Sequence, residues 1–192
     1  MGNKFAKNEP SRDVEALAQE TDLSTAFVTR LSERFDVLDK QKKGYLTKED
    51  LTAIISLGAN PMAEKLACTA LYPPYDLNPS AERAEYMDLS HFCKLIALFE
   101  PNLRKSPHLT RVHRLTFLFR LMKLDDAEML NTAGLEEILS VALGEVRKGE
   151  IRAIAEKAIM EIKEYQGDAI DYDRFIEVCI KLNVDQKLLN VV

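Results

Sequence analysis

Apolar side chains recur along this chain with the spacing of amphipathic helices. In VTRLSERFDVL, residues 28–38, they stand three or four positions apart, which puts them on one face of a helix. Pro73 and Pro74 end one such segment, because proline cannot continue a helix. The same spacing is present in residues 48–57, 60–71, 89–99, 109–122, 133–143, 146–162 and 172–182. The pattern therefore predicts an all-α fold.

The loops between these helices repeat at a nearly constant interval. Each loop has an aliphatic residue that begins a short extended stretch, and a large apolar residue five positions later. The pairs are Leu46/Leu51, Met87/Phe92, Leu130/Leu135 and Ile170/Phe175. The second members lie 41, 43 and 40 residues apart, which indicates one helix–loop–helix unit used four times. We expect the aliphatic residues of neighbouring loops to pair in a short β contact, so that two units close one lobe.

This repeat and its turn residues predict the EF-hand, a helix–loop–helix unit that binds calcium. The stretch DKQKKGYLTKED, residues 39–50, has the outline of its loop, with an acid at each end and a glycine at position six. A helical bundle of another kind is the alternative. The predicted architecture is four degenerate units in two lobes. Its parts are an N-terminal segment (1–23), an N-lobe (24–99), a linker (100–108), a C-lobe (109–183) and a tail (184–192).

The first loop departs from a calcium site at the positions that hold the ion. Ligands come from positions 1, 3, 5, 7, 9 and 12, and the weak candidates are Asp39, Gln41, Tyr45 and Asp50. Lys43 puts an ammonium at position five, and a cation about 6 Å from a divalent ion costs up to ~5 kcal/mol at a dielectric of ~20. We therefore expect no cofactor, with weak calcium or magnesium binding as the alternative. We expect Lys43 to satisfy Asp39 or Asp50 in the place of an ion.

The other three loops lack the ligands of an ion site. Position 12, where calcium needs a bidentate Glu, holds His91, Gly134 and Arg174 in loops 80–91, 123–134 and 163–174. Lys123 and Lys163 stand at position one of the last two loops, where a carboxylate belongs. We predict that these loops bind no ion.

Composition, charge and the absence of certain motifs argue against several classes of function. The chain has 192 residues, a net charge of −5 and no basic stripe, which argues against nucleic acid as a partner. No apolar run approaches the ~20 residues of a membrane span, and no secretory signal opens the chain. Three scattered cysteines predict reduced thiols in a cytosolic protein. No nucleophile–base pair, phosphate-binding glycine loop or metal-ligand cluster is present, so we predict no catalytic residue and no enzyme.

The start of the chain, MGNKFAK, has the form of an N-myristoylation signal. Gly2 follows the initiator methionine, although Ala6 stands where the signal prefers Ser or Thr. One myristoyl chain binds a membrane with a constant of only about 10⁴ M⁻¹, so a membrane-bound partner has to supply a second contact. We expect a cytoplasmic protein that is peripheral on the plasma membrane. An unmodified N-terminus is the alternative.

The stretch LTFLFRLM, residues 115–122, is apolar nearly all round, which is more than one face of a small lobe can bury. Together with apolar residues of the later helices, it predicts an open groove for an amphipathic partner helix. The predicted groove residues are Leu115, Leu118, Phe119, Met122, Ile138, Leu139, Ile159, Ile162, Phe175, Val178 and Leu182. Ordinary core is the alternative for each of them.

Several stretches, in their order and spacing, resemble the calcineurin B group. They are MGN at the start, ETDLSTAFVTRLSERFDVLDKQKKGYLTKEDL, LGANPMAEKL, HRLTFLFRLMKLD and FIEVCIKLNVDQK. The first third is most similar to the calcineurin B homologous proteins. The resemblance implies a myristoylated two-lobed regulatory protein that binds a helix in the cytoplasmic tail of a membrane sodium/proton exchanger. Calcineurin B binds a helix of a Ser/Thr phosphatase catalytic subunit instead.

The chain departs from the homologous proteins in two respects. Those proteins usually keep two working ion sites in the C-terminal half, where this chain has lost the ligands, and their linker is longer than the one after Phe99. The resemblance therefore favours a calcium-independent regulatory subunit of an exchanger. A phosphatase regulatory subunit is the alternative, and a free-standing ion sensor comes third.

Overall fold

The structure is a computed structural model, and it describes residues 13–54, 60–100, 107–123, 127–143, 150–163 and 169–184. These residues form helices joined by loops, with two short strand pairs. The helices are α1 (Val14–Thr21), α2 (Thr25–Leu38), α3 (Lys48–Thr52), α4 (Ala63–Ala70), α5 (Leu89–Phe99), α6 (Pro107–Met122), α7 (Thr132–Leu143), α8 (Ile151–Lys163) and α9 (Tyr172–Lys181). The predicted all-α EF-hand fold is confirmed.

The two strand pairs join the loops in the predicted way. Strand β1 (Tyr45–Leu46) pairs antiparallel with β2 (Met87–Asp88), so that Leu46 lies opposite Met87. Strand β3 (Leu130–Asn131) pairs antiparallel with β4 (Ala169–Ile170), so that Leu130 lies opposite Ile170. All four aliphatic side chains are buried. Each β contact therefore ties two helix–loop–helix units into one lobe.

Each lobe has its own apolar core. In the N-lobe, Phe35 of α2 and Phe92 of α5 pack edge to face with ring centroids 5.6 Å apart. Helix α1 joins this core through Ala18, which is buried, and Leu17. In the C-lobe, Phe119 of α6 lies at the centre of a cluster, and the side chains around it come from β3, β4, α8 and α9.

The same helix cap ends all four loops. The residue at position nine is Thr47, Asp88, Asn131 or Asp171, and its side-chain oxygen accepts a hydrogen bond from the main-chain N–H at position 12. Such caps satisfy a main-chain donor that the start of a helix leaves unpaired. The units therefore keep the local hydrogen bond that starts their second helix, although the ion ligands have been replaced.

Gly134 sits where α7 starts against the end of α6. A Cβ atom at this position would overlap the main-chain carbonyl oxygen of Met122, which cannot move as a side chain could. We expect Gly134→Ala to lower the free energy of unfolding by about 3 kcal/mol, the upper end of the usual cost of overpacking. Urea titration of the variant and the wild type measures this difference in the free energy of unfolding.

Gly44 provides a control for this substitution. Gly44 has a φ of +84°, and a Cβ atom added there would have no heavy atom within 4 Å. Gly44→Ala is therefore expected to lower the free energy of unfolding only by the conformational cost of a positive φ, about 1 kcal/mol. Equal losses for the two variants would contradict the close approach of α6 and α7.

Candidate functional site

The first loop keeps the turn of an ion-binding loop. Asp39 at position one is only 2% exposed. Its two carboxylate oxygens accept hydrogen bonds from the main-chain N–H groups of Lys43, at 3.0 Å, and Gly44, at 2.7 Å. Because both bonds come from the loop itself, Asp39 is held in place without an ion.

Asp50, at position 12, is held by a side-chain cation. The Nζ atom of Lys43 lies 2.6 Å from its Oδ2, and the Thr47 main-chain N–H donates to the same oxygen at 2.9 Å. Partial burial alone would raise the pKa of Asp50, but these hydrogen bonds from Lys43 and Thr47 hold it below its usual value. Of the two acids that the sequence offered to Lys43, the lysine therefore satisfies Asp50, whereas the main chain satisfies Asp39.

This donor set does not fit a divalent cation. Lys43 places an ammonium against one of the two acids, and Gln41 at position three is exposed to solvent. Position nine, Thr47, is engaged as a helix cap. Among the described residues, no group of three His, Cys, Asp or Glu side chains could hold a metal ion. The expected absence of a cofactor, and the alternative of weak calcium or magnesium binding at Asp39, Gln41, Tyr45 and Asp50, both stay predictions.

The side chains at the ion positions of the later loops have other contacts. His91 turns back to the end of α4, where its Nε2 lies 2.9 Å from the Ala70 carbonyl oxygen. Lys123 is 7% exposed and donates to the Pro79 carbonyl oxygen at 3.3 Å. Arg174 pairs with Glu177 on α9 at 2.7 Å. These three side chains therefore contact other parts of the protein at the positions where an ion site has its ligands. Residues 164–168 of the fourth loop lie outside the described residues.

His91 is expected to make stability depend on pH. Burial lowers its pKa, although the hydrogen bond to the Ala70 carbonyl opposes the shift. The folded chain therefore disfavours the charged imidazole, so stability is complete above the ordinary pKa of about 6.5 and falls as the pH drops below it. Unfolding by urea at pH 7.5 and 5.5 measures the loss. His91→Gln keeps an N–H donor but cannot titrate, so equal losses in variant and wild type would contradict this role.

Five of the predicted groove residues are buried in the C-lobe core. Their side chains pack against one another and leave no surface for a partner in this conformation, so the ordinary-core alternative describes them. They are Leu115, Phe119, Met122, Ile159 and Phe175. Periodicity identifies an apolar helix face, but it does not say which neighbouring element covers that face.

The other predicted groove residues are more accessible. Leu118, Ile138, Leu139 and Val178 are half-buried, and Leu182 is 53% exposed just after α9. The side chain of Ile162 lies outside the described part of the chain. A partner helix that binds this conformation would contact these accessible residues and not the core.

An accessible apolar surface at the junction of the lobes is absent from the sequence prediction. Phe99, at the end of α5, is 42% exposed and packs edge to face on Phe117 of α6, with centroids 5.3 Å apart. Ile96 on α5 and Leu121 on α6 are half-buried one turn away along their helices. We call Ile96, Phe99, Phe117 and Leu121 the junction strip. Its signal on α6 was the apolar character of residues 115–122 nearly all round, which the sequence analysis assigned to a C-lobe groove.

The predicted acylation site, Gly2, lies outside the described residues. Within the described ranges, no helix is both long and apolar enough to span a bilayer.

Comparison with known proteins gives a consistent set of relatives. No model of a protein family matches the chain. The type 2 calcineurin B subunit of Dictyostelium discoideum is 24% identical over 166 residues, which are 86% of this chain and 82% of that protein. The calcineurin B subunit of Schizosaccharomyces pombe is 21% identical over 93% of this chain and 94% of that protein. The calcineurin B subunit of Candida glabrata is 23% identical over 86% and 87%, respectively.

The comparison with solved structures is less informative. A chain of the structure titled "Chaetomium theromophilum TREX2 CID domain complex" is 20% identical, with 84% of this chain and 93% of that chain covered. Its TM-score of 0.34 is too low to support a conclusion about this chain. The paired loop units, together with the similarity to calcineurin B subunits along most of the chain at 21% to 24% identity, support a calcineurin B-like EF-hand family for this protein.

Proposed function

We propose that this chain is a non-catalytic regulatory subunit that binds an amphipathic helix of a Ser/Thr phosphatase catalytic subunit. The observation that carries the proposal is the similarity to relatives named as calcineurin B subunits, which extends over 82% to 94% of their lengths. Since these relatives are named as subunits, the proposal assigns this chain a partner and no reaction of its own.

The junction strip and the accessible C-lobe residues are the proposed contact surface. A partner helix presents apolar anchors at i, i+3, i+4 and i+7, so it needs a row of exposed apolar side chains about two turns long. Phe99 and Phe117 supply two adjoining aromatic rings from different lobes. Aromatic residues of this kind often dominate the free energy of a protein interface.

The proposed binding does not require calcium. In calcium sensors, ion binding opens the groove that receives the partner helix. Here Lys43 already neutralises Asp50 in the first loop, and the contact surface includes residues that are accessible in the described conformation. We therefore propose a regulatory protein that binds its partner helix whether or not calcium is present.

A sodium/proton exchanger tail is the second candidate partner. The observation that favours it is the similarity of the first third of the chain to the calcineurin B homologous proteins, together with Gly2 in an acylation signal. The relatives found by comparison are calcineurin subunits, so the phosphatase comes first. Under either candidate we propose a cytoplasmic protein held at the plasma membrane by its partner and a myristoyl group.

Affinity purification of the full chain from the cells that produce it tests the proposal. Mass spectrometry identifies the bound proteins and reports the acyl group on Gly2, and a phosphopeptide assay measures phosphatase activity in the eluate. A phosphatase catalytic subunit in equal amount supports the first candidate, and an exchanger supports the second. A chain recovered with neither contradicts both.

A further inference from the structure

The carboxyl end of α6 in the C-lobe and the residue just after it carry cationic side chains that are buried against the N-lobe. Arg120 is 4% exposed and Lys123 is 7% exposed. Lysine and arginine are almost never buried to this degree unless their charge is compensated. The partners of these two side chains are therefore informative about how the lobes are joined.

The compensating groups lie in one irregular segment between α4 and the second loop. Residues 72–79, which we call the proline segment, have the sequence YPPYDLNP. Arg120 donates to the carbonyl oxygens of Pro73 at 3.2 Å, Asp76 at 2.9 Å and Asn78 at 2.7 Å. Its guanidinium also lies over the ring of Tyr72, 4.9 Å from the centroid. Lys123 adds the bond to the carbonyl oxygen of Pro79.

The composition of the proline segment explains why it needs donors from another element. Three of its eight residues are prolines, which have a carbonyl acceptor but no main-chain N–H. The segment therefore has more main-chain acceptors than donors, and buried carbonyl groups are costly when left unpaired. The carbonyls of Pro73 and Asn78 also accept main-chain N–H groups, from Asp76 and Ala81. Arg120 on α6 and Lys123 just after it therefore supply additional donors to the segment.

Two neighbouring contacts join the same elements. Arg114 of α6 donates to the carbonyl oxygens of Leu98 and Glu100, the latter at 3.2 Å, at the end of α5. A cation at the carboxyl end of a helix is favourable because its unpaired carbonyls carry partial negative charge. The ring of His113 lies against the proline segment, with Nε2 3.2 Å from the Tyr75 carbonyl oxygen. Both contacts cross from one lobe to the other.

We propose that Arg120 and Lys123 act as a permanent cationic clamp that orders the proline segment and couples the two lobes into one folding unit without a metal ion. Main-chain carbonyl oxygens are also among the ligands of soluble calcium ions. Here the cations are covalently part of the chain, so the coupling is independent of ion concentration. The clamp also fixes the position of Phe99 on one lobe relative to Phe117 on the other.

Differential scanning calorimetry and hydrogen exchange of the full chain test the clamp. The wild type is expected to unfold in one transition. Arg120→Met is expected to give two transitions about 5 to 10 °C apart, one for each lobe. Amide exchange of peptides that cover the proline segment is expected to rise at least about tenfold in the variant. Lys123→Met is the milder second variant, in case Arg120→Met fails to fold, and it should change both readouts in the same direction.

Two further variants separate coupling from simple loss of stability. Arg152→Met removes an exposed arginine of α8 that pairs with Glu156, and it should leave one transition. Phe35→Leu weakens the N-lobe core, so in the wild-type background it should lower the single transition of both lobes. In the Lys123→Met background it should lower only the N-lobe transition. A single transition and unchanged exchange in both clamp variants would overturn the proposal.

Discussion

The chain with Lys43→Asp and Asp50→Glu together is expected to bind calcium with a dissociation constant of about 10⁻⁵ to 10⁻³ M. The first loop already has the main-chain geometry that this requires, since Asp39 accepts from the N–H groups of residue 43 and Gly44. The double substitution removes the ammonium that repels a divalent ion, and it supplies the longer carboxylate that reaches the ion with both oxygens. Isothermal titration calorimetry measures the binding heat.

Two controls locate the cause of the gain. Asp50→Glu alone keeps Lys43 and is expected to give no binding heat, because the ammonium still pairs with the carboxylate at position 12. The wild-type chain is expected to be equally silent. If the double variant is silent as well, the loop backbone has drifted from the geometry of an ion site, and Lys43 is not the reason for the loss.

Replacing the two aromatic residues of the junction strip, with Phe99→Ala and Phe117→Ala together, is expected to weaken binding of the partner helix about 100-fold or more. Truncating a central aromatic anchor typically costs about 2 to 4 kcal/mol, and each ~1.4 kcal/mol is a factor of ten in affinity. Phe99 is accessible, so its truncation removes contact area with a smaller loss of core packing than a buried residue would cause. Fluorescence anisotropy with a labelled helix of the identified partner measures the affinity.

Matched variants decide which surface the partner uses. Met160→Ala truncates an exposed apolar residue on α8, away from the strip, and should leave the affinity unchanged. Leu182→Ala reports on the C-lobe groove that the sequence predicts. A loss with Leu182→Ala and none with the strip variant would move the contact surface to the C-lobe alone. Equal thermal unfolding of all three proteins is required for the comparison.

The local features of this fold could be predicted because they repeat. The aliphatic residues at position eight recur at a nearly constant interval, so the partners Leu46 and Met87 follow from the sequence alone. The sequence also predicts that Lys43 satisfies one of the two acids of its loop, and the structure shows that this acid is Asp50. The relatives confirm the resemblance to the calcineurin B group, whereas the closer similarity to the homologous proteins stays a prediction.

The contacts between lobes could not be predicted for a physical reason. Arg120 binds carbonyl oxygens 42 to 47 residues earlier in the chain, and every residue has a carbonyl, so the acceptors leave no trace in the sequence. The placement of five predicted groove residues in the C-lobe core was missed for a similar reason, and the groove itself stays a prediction. The apolar face of α6 was recognised, but β3, β4, α8 and α9 cover much of it in the C-lobe core.

Recovery of the partner with and without calcium tests whether binding is independent of the ion. The full chain is purified from its own cells in parallel, once with excess EGTA and once with millimolar calcium, and the bound proteins are quantified by mass spectrometry. We expect a phosphatase catalytic subunit, or an exchanger for the second candidate, to be recovered in equal amounts under the two conditions. Recovery only in calcium, or no stoichiometric partner in either buffer, would contradict a regulatory subunit that binds its partner whether or not calcium is present.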